Sequence, residues 1–151
     1  MLFKSLGGVD AFPLVLSTQD TEAIIETVRN IAPGFGGINL EDIAAPRCFE
    51  IESRLKELLN IPVMHDDQHG TALVVVAGLI NALKVVRKQK HQVRIVVAGA
   101  GAAGQAITKL LLSLGVGDIL VVDSKGILAP SRVDLDRHKL EIVQITNKEN
   151  R

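Results

Sequence analysis

Val93-Arg94-Ile95-Val96-Val97-Ala98-Gly99-Ala100-Gly101-Ala102-Ala103-Gly104 is the stretch that decides the fold of this chain. A short, β-branched apolar run reads as a strand. The glycine pattern GxGxxG follows it without a gap, and a helix then runs to about Leu114, where Gly115 ends it. A second apolar run, Ile119 to Val122, closes on Asp123. Strand, glycine turn, helix and strand make a βαβ unit, so an α/β fold with parallel strands is expected.

Each glycine meets a separate physical demand. Gly99 permits the tight turn, Gly101 lets backbone approach a pyrophosphate, and Gly104 lets helix and strand pack closely, while the helix N-terminus favours the anion. Ala100, Ala102 and Ala103 complete the loop without bulk. Nineteen residues after Gly104, Asp123 ends the next strand, where a carboxylate can accept from an adenosine ribose hydroxyl. Dinucleotide binding is the expectation; the plainer alternative is that the glycines and alanines serve tight packing alone.

Upstream of this unit, Ala11 to Leu16 is apolar around Pro13 and meets Ser17, Thr18 and Asp20, so it reads as a short strand feeding a capped helix. Ile24, Ile25, Val28 and Ile31 recur at helical spacing until Pro33, Gly34, Gly36 and Gly37 stop them. Ile38-Asn39-Leu40 is a brief strand ending on Glu41-Asp42, and Pro46 sits where the next helix begins. That helix turns Cys48, Ile51, Leu55 and Leu58 inward, with Glu50, Glu52, Arg54, Lys56 and Glu57 outside, and Asn60 ends it. Ile61 to Met64 is another short strand, followed by His65-Asp66-Asp67-Gln68-His69 and then Gly70-Thr71. The apolar stretch from Ala72 to Leu83 is expected to be a buried helix, too short to cross a hydrocarbon core of about 30 Å. A polar loop from Arg87 to His91 precedes the βαβ unit, and one more helix is expected from Asp134 to Ile145.

Composition bounds the class. Of 151 residues, 47% are hydrophobic and 23% charged, which suits a packed globular chain rather than a disordered one. Lys plus Arg and Asp plus Glu balance at 17 each, and the basic residues are scattered apart from Arg87-Lys88-Gln89-Lys90, so no nucleic-acid footprint is visible. One cysteine, Cys48, excludes an internal disulfide, and no secretory leader pattern opens the sequence. A cytoplasmic setting without membrane association is expected.

Four carboxylates, Glu41, Asp42, Asp66 and Asp67, fall at the carboxyl ends of two strands. Adjacent acids repel unless a cation or proton intervenes, and Mg²⁺ or Mn²⁺ prefers oxygen donors of this kind. Solvated loops or helix caps are the alternative reading of each pair taken singly.

Phe35-Gly36-Gly37-Ile38-Asn39-Leu40-Glu41-Asp42-Ile43-Ala44-Ala45-Pro46-Arg47-Cys48-Phe49 and Val63-Met64-His65-Asp66-Asp67-Gln68-His69-Gly70-Thr71-Ala72 resemble bacterial malic enzymes almost residue for residue. The resemblance runs from Leu2 to Asn147, through Gly7 to Pro13 and Val122 to Gly126. It implies the C-terminal part of that family's N-terminal domain, residues 1–64, followed by the first half of a Rossmann-type parallel sheet, residues 65–151. It further implies that Glu41, Asp42 and Asp67 hold Mg²⁺ or Mn²⁺, that Asp66 faces the substrate as a catalytic residue, and that Thr71 lies near the nicotinamide side of NAD or NADP. His65 and His69 are then local hydrogen-bonding residues, and Cys48 is core. Arg47 is placed to orient Asp42 or a substrate carboxylate.

The implied chemistry oxidises the malate hydroxyl by hydride transfer and decarboxylates the product to pyruvate, with the metal as Lewis acid. The family's intact enzyme is expected to be a homo-oligomer. Its lysine base falls upstream of the stretch matching Leu2-Phe3-Lys4, leaving Lys4 as a surface lysine. Its tyrosine acid has no counterpart among 151 residues that include no tyrosine. The chain is therefore expected to be a piece of such an enzyme, inactive by itself. The alternatives are a catalytically silent binding module and a malolactic enzyme that converts malate to lactate.

Overall fold

The computed structural model describes residues 2–149. Its helices are α1 (Leu2–Gly7), α2 (Thr21–Ile31), α3 (Arg47–Leu58), α4 (Thr71–Val86), α5 (Ala102–Leu114) and α6 (Arg137–Ile145). Its strands are β1 (Ile38–Leu40), β2 (Val63–His65), β3 (Arg94–Ala98), β4 (Asp118–Asp123) and β5 (Gly126–Ile127). The architecture is α/β, as the sequence pattern predicts.

The first half is built on α2, whose Asp20 cap accepts from the Ala23 amide at 2.8 Å and satisfies one of the helix's orphan donors. Ile24, Ile25 and Val28 form its inner stripe and pack with Leu40, Ile51, Leu55 and Val63 into one core. β1 and β2 pair in parallel, with Ile38 opposite Val63 and Leu40 opposite His65. α3 and α2 are also joined across their outer faces, where Arg54 pairs with both Glu22 and Glu50.

The second half is the βαβ unit. β3 and β4 pair in parallel from Arg94 opposite Asp118 to Ala98 opposite Val122. Their shared core centres on Leu111, Ile119, Val121, Leu128 and Ile142, all at most 1% exposed. Burial of a side chain of this size stabilises by about 1.5–3 kcal/mol.

Several local expectations are corrected. Ala11 to Leu16 is not a strand: it is irregular and exposed, with Val15 95% accessible. No other strand lies alongside among the described residues, and a strand exists only through a neighbour's hydrogen bonds. Leu2–Gly7, unassigned by the sequence pattern, is a short helix with no buried residue. Ile61 and Pro62 lie outside β2, which extends instead to His65. α6 starts three residues late because Asp136, not Asp134, caps it by accepting from the Lys139 amide at 3.0 Å. The sheet also acquires β5, antiparallel to β4 through the turn at Ser124-Lys125, so that edge of β4 is paired.

The largest correction concerns α4. Only Ala72 is buried along it, while Leu73, Val74, Val75, Ile80, Val85 and Val86 are exposed. Val76 and Leu79 alone pack partly against the second core. The helical stretch Asp66–Val86 is 21 residues of high hydropathy, long enough by length and composition to cross a bilayer. An unbroken apolar period predicts burial without naming what does the burying, and within residues 2–149 nothing covers this side. β3 adds to the bare surface through Val96, 61% exposed on an edge that has no pairing strand among the described residues.

Self-association follows from this surface. Sedimentation velocity should show concentration-dependent species larger than a monomer, and Leu73→Glu with Ile80→Glu should shift the distribution toward monomer. A wild-type chain that stays monomeric at high concentration, with cooperative unfolding, contradicts the expectation.

Candidate functional site

The β1–β2 register sets the geometry of the acidic residues. Leu40 opposite His65 is the last pair, so Glu41-Asp42 and Asp66-Asp67 leave the same edge of the sheet side by side. Asp42 turns the chain with φ 56°, a left-handed conformation that aspartate tolerates better than most side chains. After β2 the chain enters one π turn, Asp66–Gly70, which runs directly into α4. A Cβ on Gly70 would meet the Asp66 carboxylate, which would have to turn aside, so glycine there leaves Asp66 its present position.

Glu41, Asp42 and Asp67 are exposed and Asp66 is half-buried. Glu41 accepts from Asn39 Nδ2 at 3.3 Å, and Asp67 Oδ2 stands 3.9 Å from His65 Nε2. Among the described residues, no three His, Cys, Asp or Glu side chains gather into a group able to hold a metal ion. The donors nonetheless suit a hard divalent cation, since all are carboxylate oxygens at one sheet edge. His65 beside them is fully buried with neither ring nitrogen hydrogen-bonded, so the edge is short of polar partners. His65 is thus not the side-chain hydrogen-bonding residue that its sequence position suggests.

The residue that does bond the turn is Glu52, which was expected on the outer face of α3 and is instead buried at 6% exposure. Its Oε1 accepts from Lys56 Nζ at 2.8 Å and from the His65 amide at 3.2 Å, and its Oε2 accepts from Gln68 Nε2 at 3.2 Å. His69 Nε2 lies 2.7 Å from Oε1 but outside hydrogen-bond geometry. Leu58, expected inside, is 49% exposed. Cys48, Ile51 and Leu55 are fully buried as the apolar stripe predicts, and the buried face widens to take in Glu52, whose carboxylate meets the His65 amide. Arg47 does not reach Asp42; it donates to Gln19 Oε1 at 3.3 Å. Cys48 is fully buried, and burial pushes its thiol pKa up, so it is a core residue with little thiolate character.

In the glycine turn, Gly99 has φ 121°, open to glycine and strained for other residues, and its amide donates to Val122 O at 2.8 Å. A Cβ on Gly104 would overlap the Gly99 carbonyl, so the close helix–strand approach needs glycine there. Gly101 faces open space and offers no side-chain cap, leaving the first amides of α5 from Ala102 and Ala103 free for an anion. Buried Gln105 steadies the turn from behind by donating to the Ala100 carbonyl at 3.0 Å. α5 packs on α4 and on the acidic turn, which brings the glycine loop and the carboxylates onto one body. Thr71 is exposed at the start of α4.

Asp123 ends β4 as expected, but it is heavily engaged. It accepts from Arg132 Nη1 at 2.8 Å, Arg132 Nη2 at 3.2 Å, Lys139 Nζ at 3.0 Å and the Lys125 amide at 2.9 Å. Arg132 also bonds Asp134, which receives Lys125 Nζ as well. Hydrogen bonds from Arg132, then the Lys125 amide and Lys139, hold the Asp123 carboxyl well below the usual carboxylate range. Arg132 lowers Asp134 in the same way, with Lys125 adding to it, and its own pKa is raised further by the two acids. Arg132 had no signal in the sequence, since a loop cation nine residues from its partner follows no periodicity.

Family comparisons bear on both halves. Residues 1–56 match the family model described as malic enzyme, N-terminal domain, and residues 68–151 match malic enzyme, NAD binding domain. The chain belongs to the malic enzyme family. It is 57% identical over 150 residues to the NAD-dependent malic enzyme of Geobacillus stearothermophilus, covering 99% of this chain and 31% of that protein. It is 55% identical over 152 residues to the bifunctional malic/malolactic enzyme of Bacillus subtilis strain 168, covering all of this chain and 37% of that one. Other similar malic enzymes are NADP-dependent. Its fold superposes on the NAD-dependent malic enzyme of Thermotoga maritima with a TM-score of 0.93 at 52% identity, over 99% of this chain and 40% of the other. The chain thus spans about a third of the length of the curated relatives it matches. The exposed apolar α4 falls within the NAD-binding-domain match.

The Asp123–Arg132–Asp134 network makes stability pH-dependent with a definite sign. A folded-state carboxyl pKa below the unfolded value stabilises fully above about pH 4 and loses that contribution as pH falls through the folded value. Urea midpoints for the wild type should therefore fall more steeply below pH 4 than those of Arg132→Met. Parallel pH profiles for the two proteins would show that the network contributes nothing.

Proposed function

We propose that this chain is the part of a malic enzyme that carries the metal-side carboxylates and the first half of the NAD(P) site. The parent enzyme oxidatively decarboxylates malate to pyruvate and carbon dioxide with reduction of NAD(P). The observation that carries the reading is the packing of α5, whose N-terminus meets the glycine loop, against the turn that bears Asp66 and Asp67. A dinucleotide on that loop and a cation at that edge become neighbours, as hydride transfer from a metal-held hydroxy acid requires.

Residues 1–64 belong to the metal and substrate domain, and residues 65–151 to the dinucleotide domain. Glu41, Asp42 and Asp67 would hold Mg²⁺ or Mn²⁺, which supplies Lewis-acid stabilisation of the charge left by decarboxylation. NAD(P) supplies the hydride acceptor. The chain's own residues bind and orient. The Gly99–Gly104 backbone and the α5 N-terminus would receive the pyrophosphate, Thr71 would serve the nicotinamide side, and Asp66 would face the substrate. Asp123 would be the residue to accept from the adenosine ribose hydroxyl, in competition with Arg132 and Lys139.

The parent works as a homo-oligomer in the cytoplasm. A malolactic parent, releasing lactate, is a second reading favoured by the name of the Bacillus subtilis relative; lactate rather than pyruvate as the product would select it.

The polypeptide of 151 residues, which spans about a third of its relatives' length and includes no tyrosine for the acid step, should form no NAD(P)H from malate and Mn²⁺. It should retain weak Mn²⁺ binding by calorimetry, reduced at least tenfold in Asp42→Ala and Asp67→Ala. Malate-dependent NAD(P)H that disappears in Asp67→Ala would reverse the first expectation, and equal Mn²⁺ affinity in all three proteins would remove the metal assignment.

Cofactor choice leans to NAD, because the Asp123 charge repels a 2′-phosphate, although Arg132 and Lys139 offset part of that repulsion. Fluorescence titration should give NADH binding at least as tight as NADPH. Tighter NADPH binding that is lost in Lys139→Ala reverses the choice.

A further inference from the structure

We propose that Glu52 is the positioning residue of the acidic edge: it fixes the π turn that presents Asp66 and Asp67 relative to the Glu41-Asp42 pair. The metal part of this inference rests on the proposed function; the part concerning the turn stands on geometry alone.

Glu52 lies on α3, the next helix after Glu41-Asp42, while the groups it holds lie mostly on the other acidic segment. Of its four partners only Lys56 belongs to its own helix. The other three are the amide of the last β2 residue, His65, and the side chains of Gln68 and His69 within the turn. A surface i,i+4 pair would stabilise α3 alone. A buried carboxylate that accepts from a backbone amide and a side chain of a second segment fixes that segment's position, because displacement of the turn strips the charge of both donors and leaves it Lys56 from its own helix.

The contacts also flank the working residues without touching them. The His65 amide immediately precedes Asp66, and Gln68 and His69 immediately follow Asp67, so both aspartates are held from either side with their carboxylates left unoccupied by Glu52. The turn is one of π type, in which the Thr71 amide reaches back to the Asp66 carbonyl, and such turns are uncommon because alternative helical windings compete. Glu52 supplies the interaction that selects this winding. Through it, α3 sets the spacing between the two halves of the carboxylate set.

The test uses the full 151-residue chain with four variants: Glu52→Ala, Glu52→Gln, Gln68→Ala and, as a control for simple loss of stability, Leu55→Ala on the next turn of α3. Amide hydrogen exchange is read at 65–71 and at Val121 in the second core, and Mn²⁺ binding by loss of the free-ion electron paramagnetic resonance signal. Glu52→Ala should accelerate exchange at 65–71 at least tenfold more than at Val121 and weaken Mn²⁺ at least fivefold. Glu52→Gln, which keeps an acceptor for the His65 amide, should recover most of both. Gln68→Ala reads the same coupling from the turn side and should accelerate exchange there at least threefold, which decides the matter if Glu52→Ala does not fold. Leu55→Ala should leave Mn²⁺ affinity within twofold of the wild type. Unchanged protection of 65–71 in Glu52→Ala and Gln68→Ala overturns the proposal, as does an equal Mn²⁺ loss in Leu55→Ala. A wild type that binds no Mn²⁺ overturns the metal reading instead, and the exchange comparison then decides the role of Glu52 alone.

Discussion

A carboxylate removed from water must find donors or shed its charge, and Glu52 meets that constraint with donors from three places in the chain. The first half depends on the result. α3 is tied to the end of β2, β2 is held in register on β1, and the acidic pairs that leave these strands emerge at one edge. α5 rests on the same turn, so the glycine loop is referred to this frame too. One buried charge therefore joins α3 of the first half to the turn on which α5 of the second rests.

The two halves of the proposed site are prepared to different degrees. The glycine loop is finished: Gly99 already has its positive φ, Gly104 admits the strand, and the α5 amides are uncapped. The acidic edge has its backbone in place, but its carboxylates do not yet converge. Like charges held apart in water have no reason to approach until a cation offsets their repulsion. Asp123 shows the converse, since Arg132 and Lys139 already neutralise it, and any ribose hydroxyl must compete with charged donors.

The bare side of α4 fits a chain that spans about a third of its relatives. A doubly wound sheet buries helices on both faces, whereas here Val74 and Val85 remain 73% and 82% exposed. The helix nevertheless keeps a regular end: Arg87 takes a left-handed conformation, and its amide bonds back to the last turn. Local signals form this helix, and packing is what it lacks.

Periodicity and turn chemistry made much of this protein legible before any coordinates. The α2 stripe of Ile24, Ile25 and Val28, the parallel strands on either side of Gly99–Gly104, and the acids at two strand ends all depend on near neighbours in the chain. Such features follow from side-chain direction along helices and strands, which the order of residues determines. Tertiary structure decided the rest. Glu52 is inside because the His65 amide and Gln68 meet its carboxylate, while Leu58, the last residue of α3, stays half exposed. Ala11 to Leu16 is not a strand because no other strand lies beside it among the described residues. Arg132 reaches Asp123 only once the loop after β5 folds back. In each case the outcome belongs to a partner distant in sequence, and a pattern of apolar residues specifies a face without specifying what meets it.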